Sequence, residues 1–222
     1  MSLTGTIVLL LVLAVGVALT VPSVHADEGR NKKLGELNAL YWQKNAGIPQ
    51  DRNPLVNVDP KFCGEGQPDH GNVYFLRGAF GGGEVERTCT IEGKNKILIP
   101  LVSVLAWEPA TTDPKGFVAL FADSVSQMEL IVDGVPISRE ELFANRAPSP
   151  VFEFKVPEGG LLPAGTYGLA YADGYLRILK LKKGTHRIET HAVIEHPRFG
   201  RLESGVIYHL TIQHYADDGE DG

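Results

Sequence analysis

Residues 96–105, KILIPLVSVL, decide the fold, because they form the most apolar segment of the chain after its N-terminal run. A short apolar run bounded by turn residues is typical of a buried β-strand. Pro100 interrupts the segment, and proline has no N–H with which to join a strand ladder. We therefore expect a buried strand that has an edge, a bulge or a join between two strands at Pro100.

Segments on both sides of this strand alternate apolar and polar residues. At residues 151–156, Phe152, Phe154 and Val156 share one face, and residues 205–214 alternate in the same way. Further short apolar segments are 73–76, 87–91, 128–132, 165–172, 175–181 and 185–194. About eight or nine strands separated by turns, without β-α-β alternation, predict a mainly β fold, an antiparallel β-sandwich.

Two Asp-Gly pairs punctuate the second half of the chain. Asp133-Gly134 and Asp173-Gly174 each separate two apolar runs. Glycine accepts a positive φ, so this dipeptide is a strong hairpin signal. We expect a hairpin at each pair.

Helices are expected to be few and short. Residues 117–125 carry apolar side chains at helical spacing, which predicts a short helix packed on a sheet. Ser138 and Glu141 fit a capping box that starts one helical turn. Residues 27–40 are either a further short helix or an irregular lead-in. The whole chain therefore predicts one or two short helices beside the strands.

The N-terminal segment has the features of an export signal. Residues 6–21 are almost unbroken Val, Leu, Ile, Ala and Gly, and no charged side chain precedes Asp27. The run ends in Val24-His25-Ala26, which is typical of cleavage after Ala26. We expect a secreted, periplasmic or cell-surface protein.

This assignment leaves one alternative open. No Lys or Arg precedes the apolar run, and residues 3–21 approach the roughly 20 apolar residues of a spanning helix. An uncleaved segment would anchor the protein in a membrane. With cleavage, the chain divides into a signal peptide (1–26), a single β-sandwich domain (27–215) and a disordered acidic tail (216–222).

The charge distribution excludes some partners. The net charge is −6, and four acidic side chains lie in the last six residues, which leaves about −2 for the body. A nearly neutral body lacks the clustered Lys and Arg that displace counterions from nucleic acid. It also lacks the charge needed for attachment to an anionic membrane. We expect no nucleic-acid partner.

The chain has two cysteines, Cys63 and Cys89. In an oxidising compartment an even pair predicts a disulfide. The bond would close a loop of about 26 residues and contribute roughly 3–4 kcal/mol in the chain-entropy model. It would fasten the turn-rich segment 43–72. A two-thiol metal or redox site is the alternative, although no Cys-x-x-Cys motif is present.

The order of motifs resembles a widespread group of exported microbial β-sandwich proteins with one disulfide and no assigned activity. The resemblance spans residues 41–213 and implies a fold but no catalytic residue, cofactor or partner. It departs at Ile91-Glu92-Gly93, where a proline would precede the glycine. The second half, with Gly184-Thr185-His186 before a long strand, also resembles immunoglobulin-like sandwiches, which makes the expected sandwich immunoglobulin-like or jelly-roll-like. The residues that carry the first resemblance are Tyr41-Trp42, Asn53-Pro54, Cys63, Gly66-Gln67, 73–76, 87–90, 97–100, Asp133-Gly134, 149–154, 173–175, Leu181, 184–186 and 206–212.

No catalytic residue can be assigned from the sequence. The mature chain has no Gly-x-Ser-x-Gly motif, and both thiols are expected in the disulfide. Carboxylates that could form a glycosidase pair are scattered, and nothing singles out two of them. An enzyme is therefore not predicted, although a hydrolase with a dispersed active site stays open.

Metal ligation has weak candidates in two places. Asp59, Glu65 and Asp69 crowd the turn-rich segment, where carboxylates and carbonyls could hold calcium. His186 and His209 could come together across paired strands, although zinc or copper would need a third ligand. A solvated acidic loop and cross-strand packing are the alternatives. No cofactor is assigned beyond possible calcium.

Aromatic side chains could stack on a sugar. Trp42 and Trp107 are expected to be buried packing residues. Tyr171 and Tyr175 flank the second Asp-Gly pair, so we expect them at the surface as ligand-stacking candidates.

The sequence favours an exported non-catalytic protein with a binding or structural role. The alternatives are a protein like a carbohydrate-binding module and the dispersed hydrolase. The partner would be a glycan or another cell-surface protein.

Overall fold

The structure is a computed structural model that describes residues 24–94 and 96–213. Its helices are α1 (Val24–Ala46), α2 (Pro114–Asp123) and α3 (Arg139–Phe143), and two 3-10 turns cover Gln50–Arg52 and Pro60–Phe62. Its strands are β1 (Val73–Phe75), β2 (Gly83–Glu92), β3 (Lys96–Ala106), β4 (Val125–Val132), β5 (Val135–Pro136), β6 (Phe152–Val156), β7 (Gly165–Lys180), β8 (Gly184–His196) and β9 (Gly200–Gln213).

The strands form two sheets, which confirms the mainly β prediction. One sheet has the order β1-β3-β7-β6, and the other has the order β2-β9-β8-β4-β5. The expectation of purely antiparallel sheets is wrong, because β1 pairs with β3 and β2 pairs with β9 in parallel. The cause is the path of the chain: β2 crosses to the other sheet, so β1 and β3 meet running in the same direction.

The main core lies between the sheets. Ile91, Ile97, Ile188 and Tyr208 are fully buried there, and they come from β2, β3, β8 and β9. The alternation predicted for residues 205–214 is confirmed over the described part of β9.

Helix α1 covers the outer face of the four-stranded sheet. Its Leu34 and Tyr41 join a second apolar cluster with Phe75, Leu98 and Leu176 of the sheet. The helix is 23 residues long, so the expectation of only short helices is wrong, and the residues left open as a lead-in are helical. The sequence did not show this extent because residues 41–46 belong to the helix but directly precede a turn-rich segment.

The proline in the deciding strand sits at an irregularity, as predicted. The pairing of β3 with β7 shifts register between Pro100 and Val102. A bulge there lets a residue without an N–H remain inside a strand.

The two Asp-Gly pairs differ in structure. Asp133 and Gly134 have φ of 51° and 81° and join β4 to β5 as a hairpin, which confirms the first prediction. The second prediction is wrong, because Asp173-Gly174 lies inside the continuous strand β7. A Cβ on Gly174 would lie 2.1 Å from the Val102 carbonyl oxygen, so this glycine permits close approach of β3 and makes no turn.

The disulfide between Cys63 and Cys89 is present, with a Cα–Cα distance of 5.8 Å. It fastens the turn-rich segment to β2. Tyr74 Oη donates to the Cys63 carbonyl oxygen at 2.5 Å, and burial raises the pKa of Tyr74 to about 12, so this hydroxyl stays a donor.

The structure describes residues 24–26 of the segment assigned to export and none of the acidic tail. The apolar run at 6–21 and the acidic residues 216–222 lie outside the described residues. Among the residues that are described, no helix has both the length and the apolar character needed to cross a membrane.

Candidate functional site: an apolar cleft between the sheets

The space between the sheets is closed at one end and open at the other. At the closed end, β2 passes into β3, and the pairs β1–β3 and β2–β9 join neighbouring strands. At the open end these pairings stop: β1 covers β3 only as far as Leu98, and β2 covers β9 only from Ser204 onward. Within the described chain, residues 99–106 of β3 and 200–203 of β9 therefore each have one strand edge without a partner strand.

A cleft of about 420 Å³ lies at this open end. Its walls are the free half of β3, the start of β9 and the end of helix α1, so the cleft extends from the space between the sheets around the free edge of β3 to its outer face. The turn at Gly81–Gly83 borders it, and all three glycines have positive φ, between 77° and 94°. Other wall residues are Phe121 of α2, Phe154 and Val156 of β6, Leu161, Leu162, and Thr190 and Ile194 of β8.

The mouth of the cleft carries exposed apolar side chains. Phe80 is 52% exposed and Leu202 is 37% exposed, and both line the cleft. Exposed apolar side chains beside a concave apolar space are typical of a binding site. The volume lies within the roughly 300–1,000 Å³ of small-molecule sites.

Polar groups in the wall are few and mostly occupied. Trp42 Nε1 donates to Ser103 Oγ at 2.7 Å, and Ser103 Oγ donates to Asn38 Oδ1 at 2.7 Å. The Asn45 amide donates to the Tyr41 carbonyl oxygen, and its buried Oδ1 has no partner within the described chain. Glu203 supplies the one carboxylate among the described wall residues, and it is paired with His191 and Arg201.

Two buried arginines lie behind one end of this wall. Arg77 and Arg87 are 3% and 5% exposed. Arg77 donates to the carbonyl oxygens of Phe75, Glu65 and Gly66, each at 2.9 Å. Its guanidinium carbon also lies 5.4 Å from the centre of the Tyr41 ring.

Arg87 is held in a similar way by main-chain oxygens. It donates to the carbonyl oxygens of Gly78 at 3.0 Å and of Leu55 and Asn57 at 3.3 Å. Gly78 and Leu55 themselves line the cleft. Burial lowers the pKa of both guanidinium groups and raises the pKa of the neighbouring Tyr41 and Tyr208, so the tyrosines stay neutral and do not balance the two charges.

The predicted ligand-stacking residues are not at the cleft. Tyr175 is buried in the main core, 6% exposed, and its hydroxyl donates to the Ala122 carbonyl oxygen at 3.4 Å. Tyr171 is half-buried on β7 opposite Ala106. Both were expected at the surface because a hairpin was expected between them, and the continuous strand β7 removes that reason.

The weak metal candidates are each paired with other groups. Asp59 binds Lys61, Glu65 binds Arg52, and Asp69 binds Lys44. His186 binds Asp133, and His209 lies opposite Arg187 and binds Glu86. No group of three or more His, Cys, Asp or Glu side chains comes together in the part of the chain that the structure describes.

One further ionic cluster joins helix α2 to strand β7. Arg146 binds the buried Asp173 at 2.8 Å and the exposed Asp123. Burial opposes the charge on Arg146, but its hydrogen bonds with Asp173 and Asp123 outweigh that effect and raise its pKa. Because Arg146 satisfies both carboxylates, we interpret this cluster as a structural tie.

Neither the cleft nor the two arginines behind it was predicted from the sequence. The position of Arg87 could have indicated the buried charge, because Arg87 shares the inward face of β2 with the core residues Cys89 and Ile91. A charged residue at an inward position of a strand marks a site that needs special compensation. Arg77 had no comparable signal, since it follows the short strand β1 at the start of a loop.

No protein-family model, curated protein or solved structure matches the chain.

Proposed function

We propose that this protein binds a small apolar molecule in the cleft at the open end of its two sheets. The observation that carries the proposal is the 420 Å³ cleft, with walls dominated by Leu, Val, Ile, Phe and Trp side chains, at the end where both sheets have free strand edges. Removing an apolar ligand from water into such a space is favourable by about 25 cal/mol for each Å² buried.

The role is binding without chemistry. Glu203 is the one carboxylate among the described cleft residues, and its bonds to His191 and Arg201 occupy it. A glycosidase would need two carboxyl groups on either side of its substrate. The geometry therefore gives the dispersed hydrolase little support.

A glycan ligand also has less support than an apolar ligand. Trp42 and Trp107 line the cleft, but they do not form a flat exposed strip. The Trp42 ring packs edge-on against Tyr41, and the Trp107 ring packs edge-on against Phe154 and Tyr167. Sugar binding would also require more free polar groups than these walls offer.

The localisation of the protein and the type of its β-sandwich are part of the same proposal. We propose an exported protein, secreted, periplasmic or at the cell surface, whose two sheets form a β-sandwich of the immunoglobulin-like or jelly-roll-like type that stays open at one end. The apolar N-terminal run and the disulfide support export, because disulfides persist in oxidising compartments. An intact mass that corresponds to a chain beginning at Asp27, and that is two hydrogens below the mass of the reduced protein, would agree with export and with the disulfide.

Titration with the neutral fluorescent dye Nile red tests the binding function. We expect saturable binding with enhanced emission, and Leu202→Glu should weaken it about tenfold or more, since it places a charge at the apolar mouth. Leu120→Glu is the matched control, because Leu120 is 43% exposed but does not line the cleft. Absence of saturable binding, or an equal loss in both variants, would contradict the proposal.

A further inference from the structure

Arg77 and Arg87 form a buried pair of positive charges to which no carboxylate of the described residues is paired. Every hydrogen-bond acceptor that the described chain offers their guanidinium groups is a main-chain carbonyl oxygen. The Nε atoms of both residues are buried and have no acceptor among residues 24–94 and 96–213. Buried charges are normally paired, because removal from water costs several kcal/mol for each ion.

The two charges lie directly behind residues that line one end of the cleft. The carbonyl oxygens of Gly78 and Leu55 lie 3.0 and 3.3 Å from Arg87, and both residues are part of the cleft wall. Tyr41, whose ring lies beside the Arg77 guanidinium, is part of the same wall. One layer of residues therefore separates the two charges from the cleft.

We expect the field of the two charges to reach the Leu55–Gly78 end of the cleft with little screening. Apolar walls surround that end, and water and salt screen charges much less inside a protein than at its surface. The one carboxylate of the described wall, Glu203, lies on β9 and is paired with His191 and Arg201, so it adds little opposing charge. We therefore expect a positive potential at the Leu55–Gly78 end, where the described wall offers no unpaired carboxylate.

We infer that the ligand of the cleft is an apolar anion, an alkyl carboxylate whose chain lies along the free half of β3 and whose head lies at the Leu55–Gly78 end. The inference rests on the proposed function and adds the chemical class of the ligand. The apolar walls bind the chain, and the two arginines favour the charged head over a neutral one.

A matched pair of ligands tests the inference on the unmodified protein. Decanoate and decanol have chains of equal length and differ in the charge of the head, so their dissociation constants from displacement of Nile red isolate the effect of charge. We expect decanoate to bind about tenfold or more tightly than decanol at neutral pH. Equal affinity, or tighter binding of decanol, would overturn the inference while leaving the apolar cleft intact. Binding of neither ligand would instead overturn the proposed function.

Two further measurements locate the charge that acts on the ligand. Arg87→Gln should weaken the binding of decanoate several-fold more than the binding of decanol, whereas the exposed control Arg139→Gln should change neither. An equal loss for both ligands would contradict the role of the charge. Near-ultraviolet circular dichroism checks that each variant is folded, and the unmodified protein decides the question if Arg87→Gln does not fold. Raising the salt concentration to 0.5 M should change the decanoate preference less than threefold, because the charges are buried. A loss of the preference in salt would place the anion at surface lysines and overturn the inference.

Discussion

The two ends of the inter-sheet space are built from the same strands but serve different purposes. At the closed end, β2 turns into β3, and side chains such as Ile91 and Ile97 are fully buried. At the open end, the free edges of β3 and β9 face a cleft, and Leu202 and Phe80 remain exposed. We infer that pairing of strand edges, more than composition, decides which apolar side chains are buried in the core and which line the proposed ligand site.

The largest contrast should appear between core truncations at the two ends. Ile91→Ala removes a fully buried side chain and should lower the free energy of unfolding by about 4 kcal/mol, whereas Leu202→Ala should cost less than about 1 kcal/mol. The affinity for Nile red should be unchanged in Ile91→Ala and weaker in Leu202→Ala. Urea unfolding and dye titration measure the two quantities, and similar stability losses at both positions would remove the distinction.

The disulfide should act on stability alone. Replacing Cys63 and Cys89 together by serine opens a 26-residue loop and should cost about 3–4 kcal/mol in the chain-entropy model. Dye affinity should be unchanged when measured well below the unfolding transition. A cost below about 1 kcal/mol would show that the turn-rich segment holds itself against β2 without the bond.

A substitution at Gly174 probes the region between the two ends, where the pairing of β3 with β7 shifts register. Gly174→Ala would place a Cβ 2.1 Å from the Val102 carbonyl oxygen, so a main-chain shift is required, and we expect a loss of about 3 kcal/mol. Gly134→Ala is the comparison in the other Asp-Gly pair, where nothing lies within 4 Å of the added carbon. Gly134→Ala should lower the free energy of unfolding by about 1–2 kcal/mol, because only the positive φ of this position opposes a side chain. Equal effects would show that close approach is not the reason for the glycine in β7.

The smallest effect should be a pH dependence at the closed end. His186 Nδ1 lies 2.7 Å from Asp133 Oδ2, and Nε2 lies 2.9 Å from the Lys182 carbonyl oxygen. Burial lowers the pKa of His186, but these two bonds outweigh it, so the pKa is raised above 6.5. The stabilisation is therefore complete below pH 6.5 and is lost as the pH rises through the folded-state value.

Asp133→Asn should weaken this pH dependence, because only the bond to the Lys182 carbonyl oxygen then remains. Proton NMR titration of His186 gives its pKa in the intact protein and in the variant, and urea unfolding at several pH values gives the stability. A pKa at or below 6.5 in the intact protein would contradict the assignment.

The sequence predicted local features well and long-range ones poorly. Alternation located β6 and β9, the capping residues placed α3, and the cysteine pair predicted the disulfide, because each signal lies within a few residues or has one possible partner. The two Asp-Gly pairs look alike in sequence. Their difference depends on Arg146 and Val102, which are distant in the chain and contact only the second pair.

The candidate site could not be predicted for the same reason. The cleft exists because β1 stops beside Leu98 and β2 joins β9 only at Ser204. The local sequence pattern predicts neither of these registers. The parallel pairings that set these registers join segments far apart in the chain. Arg87 was visible as an inward charge on β2, but its closeness to Gly78 and Leu55 was not.

Methyl NMR during titration with Nile red tests the central claim most directly, because it reports both ends of the inter-sheet space in one experiment. The account predicts shifts at the methyl groups of Leu105, Leu161 and Leu202, with Ile91 and Ile97 at the closed end unchanged. Shifts concentrated on Ile91 and Ile97, or spread over surface residues such as Val135 and Val151, would contradict a ligand site at the open end.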